Sequence, residues 1–188
     1  MSLPEADAAL DRIPVAVLTG FLGSGKTTLL NALLRDPDLA DTAVIINEFG
    51  EVGIDHLLVD MVDGELLLLK SGCICCTVRA DLEGALLSLL ARRDAGTVPY
   101  FSRVIIETTG LADPAPILQM LLNYPELTPL FRLDGITTAV DAVHGAAQLD
   151  AHPEAVKQVA VADRLVLTKT DLESDTTGLS ERLAGINP

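Results

Sequence analysis

Tryptophan is absent from this chain of 188 residues, and aromatic residues make up only 3% of it. A core of ordinary size must therefore be aliphatic, drawn from the Leu, Val, Ile and Ala within the 49% hydrophobic fraction. Basic residues are also scarce, 13 against 27 acidic, for a net charge of −14. That balance disfavours nucleic acid or an anionic membrane surface as the main partner. It is compatible with cations, although a solvated acidic surface is the commoner explanation of such a charge. No apolar run reaches the length of a membrane span, since Glu65 and Lys70 bracket Leu66-Leu67-Leu68-Leu69. The acidic start, Met1-Ser2-Leu3-Pro4-Glu5-Ala6-Asp7, carries no secretory pattern, so a cytoplasmic location is expected. Cysteine is limited to Cys73, Cys75 and Cys76. A secreted disulfide framework would spread its cysteines along the chain, so metal or redox chemistry in a reducing compartment fits better.

What is present begins with Gly20-Phe21-Leu22-Gly23-Ser24-Gly25-Lys26-Thr27, which meets every fixed position of G-x-x-x-x-G-K-[ST]. A β-branched apolar run, Ile13 to Thr19, precedes it, and Thr28 to Leu34 follows with helical apolar spacing. Strand, glycine-rich loop and helix together make a phosphate cradle, because successive backbone N–H groups and the helix N-terminus converge on one anion. Gly20, Gly23, Ser24, Gly25, Lys26, Thr27 and Thr28 are the residues expected at the phosphates. Lys26 is expected to reach the β- and γ-phosphates, and the Thr27 hydroxyl to sit on Mg²⁺. Lys26 and Thr27 are thus catalytic candidates.

Short, nearly continuous apolar runs alternate with helical segments, the pattern of a mostly parallel α/β sheet. Strands are expected at Val15–Leu18, Ala43–Ile46, Val104–Ile106, Ile136–Val140 and Leu165–Leu167. Leu57–Val62 and Glu65–Leu69 flank Asp63-Gly64, a turn signal, and predict an added antiparallel hairpin. Helices are expected at Thr27–Leu34, Arg79–Arg92, Pro114–Leu122, Pro153–Ala162 and Thr177–Leu183, with Asp113-Pro114 supplying a cap and an N1 proline. The reading is a P-loop, three-layer domain over residues 13–188, preceded by a tail at 1–12. The final helix would ordinarily feed another strand, so a longer protein is expected.

Four further segments carry chemistry. In Val104-Ile105-Ile106-Glu107-Thr108-Thr109-Gly110, an acid ends a buried strand where a P-loop enzyme supports Mg²⁺. Glu107 is therefore a third catalytic candidate, and Gly110 is a candidate backbone donor to the γ-phosphate. By itself such a carboxylate could simply cap a turn. Thr168-Lys169-Thr170-Asp171 follows a strand and matches the guanine-reading pattern [NT]-K-x-D. The Asp171 carboxylate can accept from guanine N1–H and the exocyclic amine, an edge adenine lacks, so a buried Asp171 would discriminate against adenine. The Lys169 stem can lie along the base.

Gly72-Cys73-Ile74-Cys75-Cys76 would, if extended, project Cys73 and Cys75 to one face and Cys76 to the other. Two thiolates on one face suit Zn²⁺ or a similar borderline-soft cation, with further ligands from elsewhere. Buried small hydrophobes and a redox pair are the competing readings. Asn47-Glu48-Phe49-Gly50-Glu51-Val52-Gly53-Ile54-Asp55-His56 lies where P-loop GTPases carry a mobile switch; a solvated acidic loop would have the same composition.

G-F-L-G-S-G-K-T-T, N-E-F-G-E-V-G-I-D, G-C-I-C-C, E-T-T-G-L-A-D-P and A-D-R-L-V-L-T-K-T-D occur in that order. Together they resemble the CobW family of P-loop GTPases, relatives of the nickel-insertion GTPases of hydrogenase and urease maturation. The resemblance covers about residues 13 to 188. It implies GTP binding and hydrolysis coupled to handling of Zn²⁺ or Co²⁺, with delivery to a client metalloprotein. It implies Cys73, Cys75 and Cys76 as metal ligands, Glu48 as a ligand or sensor, and His144 as a secondary candidate. A metal- or nucleotide-dependent dimer stays open, as does the client. Family members usually continue into a smaller C-terminal α/β domain, which this sequence does not contain. No obvious Gln or Arg orients the attacking water, so slow intrinsic turnover is expected. Competing activities are a small-molecule kinase, although the nine arginines form no lid-like cluster, and a thiol-based sensor.

Overall fold

The first strand, β1 (Ile13–Thr19), is central, with β6 (Arg103–Thr108) on one side and β7 (Phe131–Asp141) on the other, both parallel to it. This geometry comes from a computed structural model, which describes residues 12–47, 59–61, 66–69, 74–77 and 82–188. β1 tolerates Pro14 because its register with β6 begins only at Val15, so one missing N–H at the strand start breaks little of the ladder. Next to β6 lie β2 (Thr42–Asn47) and then β5 (Ile74–Thr77), and next to β7 lies β8 (Arg164–Thr168); every one of these pairings is parallel. β4 (Leu66–Leu69) pairs antiparallel with β5, and β3 (Val59–Met61) antiparallel with β4. The full order is β3-β4-β5-β2-β6-β1-β7-β8. The turn expected at Asp63-Gly64 lies outside the described residues.

Strand alternation sorts the core. Val15, Val17, Ala43, Ile45, Val104 and Ile106 face one side, where they join Leu86, Leu89 and Leu90 of α2 (Leu82–Asp94) and Ile117 and Leu121 of α3 (Ala115–Asn123). Leu18, Val44 and Ile46 are equally buried on the other face. The cleft lined by Pro14, Ala16, Ile105 and Leu33 puts α1 (Lys26–Leu33) on that second side. Helices on both faces are what a parallel sheet requires to bury its apolar surface. Leu86 and Phe101 are essentially inaccessible to solvent, and truncating either to alanine would cost about 2–5 kcal/mol.

A second cluster joins Val140 to α4 (Gly145–Ala151), α5 (Pro153–Ala160) and α6 (Thr177–Ile186) through Leu149, Ala155, Val159, Leu179 and Leu183. The sequence pattern predicts no helix at Gly145–Ala151, because seven residues beginning at glycine show too little apolar period. It also stops β7 short, since Arg132, Asp134 and Gly135 interrupt the apolar run. Pairing with all of β1 extends the strand regardless, across an irregularity between Val15 and Ala16. At α3, Asp113 Oδ1 accepts the Ala115 N–H at 3.0 Å, giving the expected cap.

Candidate functional site

The loop between β1 and α1 can be made only by glycines at three points. Gly20, Gly23 and Gly25 have φ of 140°, 70° and 83°, values that L side chains rarely adopt. Close approach adds to this at Gly20, where a Cβ would run into the Ala139 carbonyl and sit 2.7 Å from Ser24 Oγ. No side chain caps the first turn of α1, and no acidic residue occupies it. The helix start is thus left electropositive and free to receive an anion. Ser24 Oγ is fully buried and has no hydrogen-bond partner among the described residues. Lys26 folds back over its own loop, its Nζ donating to Gly20 O at 3.0 Å and Phe21 O at 3.3 Å. An anion held by the loop would meet this ammonium directly.

β6 supplies the acid. Glu107, only 4% exposed, accepts a 2.6 Å hydrogen bond at Oε1 from Thr27 Oγ1, eighty residues away in sequence. One residue on, Thr108 Oγ1 donates to Thr19 Oγ1 at 2.8 Å and ties the ends of β6 and β1 together. Gly110 then presses against the loop so closely that a Cβ would lie 2.6 Å from Leu22 N. The expected Lys26, Thr27, Glu107 and Gly110 are therefore brought together. A hydroxyl beside a carboxylate is a hard oxygen donor pair, the chemistry that suits Mg²⁺.

The Thr168 segment does two different jobs. Thr168 Oγ1 donates to Ser24 O at 2.7 Å, and its side chain lies 3.5 Å from where a Cβ on Gly25 would be. This residue fastens the phosphate loop to the end of β8. Lys169 takes a left-handed φ of 57°, unusual for a residue with a Cβ, and its Nζ sits 2.6 Å from Asp141 Oδ2. Asp171, by contrast, lies on the exposed turn after β8. It is not the buried carboxylate that the sequence reading invoked for rejecting adenine, so any such pairing depends on the base covering it.

Asp141, at the end of β7, was not read from sequence as a site residue. Its Oδ1 accepts the N–H groups of Val143 and His144 at 2.8 and 3.2 Å. Its Oδ2 meets Lys169 and, at 3.0 Å, His144 Nδ1. Burial pushes this carboxyl up, but the Lys169 and His144 hydrogen bonds and two backbone N–H groups outweigh it and hold the pKa at about 2. His144, the secondary metal candidate, thus has one ring nitrogen engaged with a carboxylate. The available signal was an Asp followed by a turn, in Asp141-Ala142-Val143-His144, where Asx side chains hydrogen-bond backbone a few residues on.

Cys73 and Glu48 lie outside the described residues, as does the rest of the expected switch at 48–56. Cys75 and Cys76 fall on β5, in register with Val44 and Ile45 of β2. Ile45 is in turn in register with Ile106, the residue before Glu107. Two interstrand steps of about 4.8 Å separate the cysteine strand from β6. Asn47, where the expected switch begins, pairs with Thr108. Among the described residues no three His, Cys, Asp or Glu side chains gather into a metal cluster.

The CobW/HypB/UreG nucleotide-binding domain matches residues 14–188. The zinc chaperone YjiA of Escherichia coli K12 is 46% identical over 178 residues, covering 95% of this chain and 56% of that protein. The zinc-regulated GTPase metalloprotein activator 1 of Schizosaccharomyces pombe is 37% identical, covering 92% of this chain and 42% of that one. A crystal structure of the Zn(II)-bound YjiA GTPase from E. coli superposes with a TM-score of 0.76, over 92% of this chain and 54% of that chain, at 46% identity. The chain spans about half the length of the curated relatives it matches.

Proposed function

The chain belongs to the CobW/HypB/UreG nucleotide-binding family, and on that premise we propose that it binds and hydrolyses GTP and couples the nucleotide state to handling of a transition metal. The observation that carries the nucleotide half is the Thr27–Glu107 hydrogen bond of 2.6 Å beside a buried Lys26. A phosphate-loop threonine against a buried carboxylate supports reading Glu107 as the acid that backs Mg²⁺. Backbone amides of residues 23 to 28 and Lys26 would hold the phosphates. Lys26 would oppose charge that develops on the transferring phosphoryl oxygens. Thr27 and Glu107 would hold Mg²⁺, which when bound neutralises phosphate charge. The Gly110 N–H would meet the γ-phosphate, and Asp171 would accept from guanine.

For the metal, the cargo is Zn²⁺, with Co²⁺ as the other candidate, taken by Cys73, Cys75 and Cys76 with Glu48. The relatives named zinc chaperone and zinc-regulated GTPase support Zn²⁺. Coupling is supported by the register Cys76–Ile45–Ile106, which runs from the cysteine strand to the residue before Glu107. Delivery to a client metalloprotein and a metal- or nucleotide-dependent dimer belong to the same proposal. A cytoplasmic setting belongs to the same proposal; separately, no described helix is long and apolar enough to cross a membrane.

The test is a metal titration of the chain with GDP and with a non-hydrolysable GTP analogue. Tighter Zn²⁺ binding in the analogue complex is the expected result. No GTP binding at all would overturn the reading. GTP binding without any thiol-dependent metal site would reduce it to a GTPase of other purpose.

A further inference from the structure

Gln158 is a fully buried amide on a helix face that is otherwise core. Ala155 and Val159 beside it on α5 pack against Val140 and Leu149. Its own carbonyl accepts the Thr138 hydroxyl of β7 at 2.7 Å, which secures the helix to the sheet. On the Gln158 side that anchoring uses only the backbone carbonyl, so the Gln158 side chain is not needed for it. The side-chain Oε1 has no partner among the described residues. An unpaired buried oxygen is a cost that an apolar residue of the same shape would avoid. What the amide does make is specific: Nε2 donates to Gly110 O at 3.1 Å and to Ala112 O at 3.0 Å. Both of its N–H groups are thereby directed to the loop that follows Glu107.

That loop is held from the opposite side as well. Gly110 abuts the Leu22 backbone too closely for any side chain. The residue preceding α5, His152, stacks on Phe21 of the phosphate loop with ring centroids 4.5 Å apart and planes 23° apart. So one helix touches both loops that a triphosphate would bridge, and its only buried polar side chain clamps Gly110. We propose that Gln158 is the positioning residue that presents the Gly110 N–H to the γ-phosphate, making the domain's preference for GTP over GDP depend on α5. This rests on the assignment of Gly110 to the γ-phosphate made above. Gln158 touches no substrate atom; it holds the Gly110 and Ala112 carbonyls, and the Ala112 N–H donates to Thr109 O at 3.0 Å, whose peptide plane carries the Gly110 N–H, so the clamped turn sets the direction of that donor. The preorganised donor then needs no rearrangement when the γ-phosphate arrives.

Gln158→Met preserves length and volume while removing both donors. Affinities for GDP and for a non-hydrolysable GTP analogue, both with Mg²⁺, are measured together with kcat and KM for GTP. GDP affinity is expected to stay within about twofold, whereas analogue affinity and kcat each fall about tenfold. Thr138→Val is the control, since it loosens α5 without touching the amide; it should lower thermal stability and leave the GTP-to-GDP affinity ratio unchanged. Equal losses for both nucleotides in Gln158→Met, or an unchanged kcat, would make Gln158 a structural strut and overturn the proposal. If Gln158→Met does not fold, Gln158→Leu carries the same measurements, with both donors again removed and the same losses expected. The Gly110 amide resonance in ¹⁵N-glycine-labelled wild type separates the two layers. No change between the GDP and analogue states would remove the Gly110 assignment and the proposal with it. A clear change there, with an unaltered affinity ratio in Gln158→Met, would remove the role of Gln158 alone.

Discussion

Lys169 and Asp141 meet at 2.6 Å across the ends of two neighbouring strands, and this contact fixes a lysine in a left-handed backbone conformation. Strain at such a φ persists only where the surroundings over-determine it. Asp141 does so from a position with almost no solvent access, holding Lys169, His144 and two backbone N–H groups at once.

The pH dependence of stability follows from that carboxylate. Its folded pKa is about 2 against an ordinary 3.8. A depressed acid contributes stability that is complete above the unfolded value and is lost as pH falls through the folded one. Between about pH 5 and pH 2 the chain should lose ~2 kcal/mol from this residue alone. Asp141→Asn should unfold more readily at pH 7 and show a flatter acid limb in urea midpoints measured from pH 7 downward. An acid limb as steep as wild type would place the responsible carboxylates elsewhere.

Thr168→Val should weaken GDP and GTP alike. The hydroxyl holds Ser24 O, on the phosphate loop that both nucleotides would share. Losing one buried hydrogen bond costs about 1 kcal/mol, so each nucleotide should lose no more than roughly tenfold in affinity. Isothermal titration with both nucleotides checks this. A loss confined to one nucleotide would mean that Thr168 reads the ligand rather than the loop.

Lys26→Ala should abolish hydrolysis and strongly weaken triphosphate binding, because the buried ammonium has no substitute cation in the loop. Thr27→Ala and Glu107→Gln should chiefly remove the Mg²⁺ dependence of binding, since the two side chains share one 2.6 Å contact. Their double variant should lose little more than either single variant, as expected for groups that act as a unit. Turnover surviving in Lys26→Ala would move the active site away from this loop.

How much of this could be read beforehand depends on sequence distance. The phosphate loop was legible because its glycines, lysine and threonine are consecutive, and glycine's tolerance of positive φ leaves a pattern. Glu107 was legible as an acid ending an apolar run, yet its bond to Thr27 spans eighty residues and needed the sheet order to bring the two together. Thr168 was read as part of a base-recognition string; that it also secures Ser24 depends on β8 lying beside β7, which no local pattern encodes. Gln158 was invisible for the same reason. On a helix wheel it is one polar residue among core positions, and only the fold reveals the carbonyls it meets.

Asp171→Asn should shift base preference from guanine toward xanthine. A carboxylate accepts from both guanine donors, whereas an amide can pair one donor and one acceptor, which suits the xanthine edge. Because Asp171 is exposed on its turn, the penalty for ATP in the wild type arises only when the base covers it. GTP should still bind more tightly than ATP, and xanthosine triphosphate should gain on GTP in the variant. Equal affinity of the wild type for ATP and GTP would remove base selectivity from this turn.

The coupling of nucleotide to metal is most directly read with cobalt, because thiolate coordination gives a charge-transfer band in the near ultraviolet. The cysteine strand β5 lies one strand from β2, whose last residue Asn47 pairs with Thr108 directly after Glu107. A segment leaving β2 there starts beside the proposed Mg²⁺ support and carries Glu48 next. The γ-phosphate should therefore tighten Co²⁺ binding, and GDP should not. By linkage, Co²⁺ must tighten the GTP analogue by the same factor by which the analogue tightens Co²⁺, typically ~5–150-fold for coupled sites. Cys73→Ser and Cys75→Ser should lose the band, and Cys76→Ser should lose less of it. Glu48→Gln should retain the band while weakening its dependence on the analogue. Identical cobalt affinities in the two nucleotide states would leave a metal-binding GTPase but remove the switch, because a ligand with no differential affinity for two states cannot shift between them.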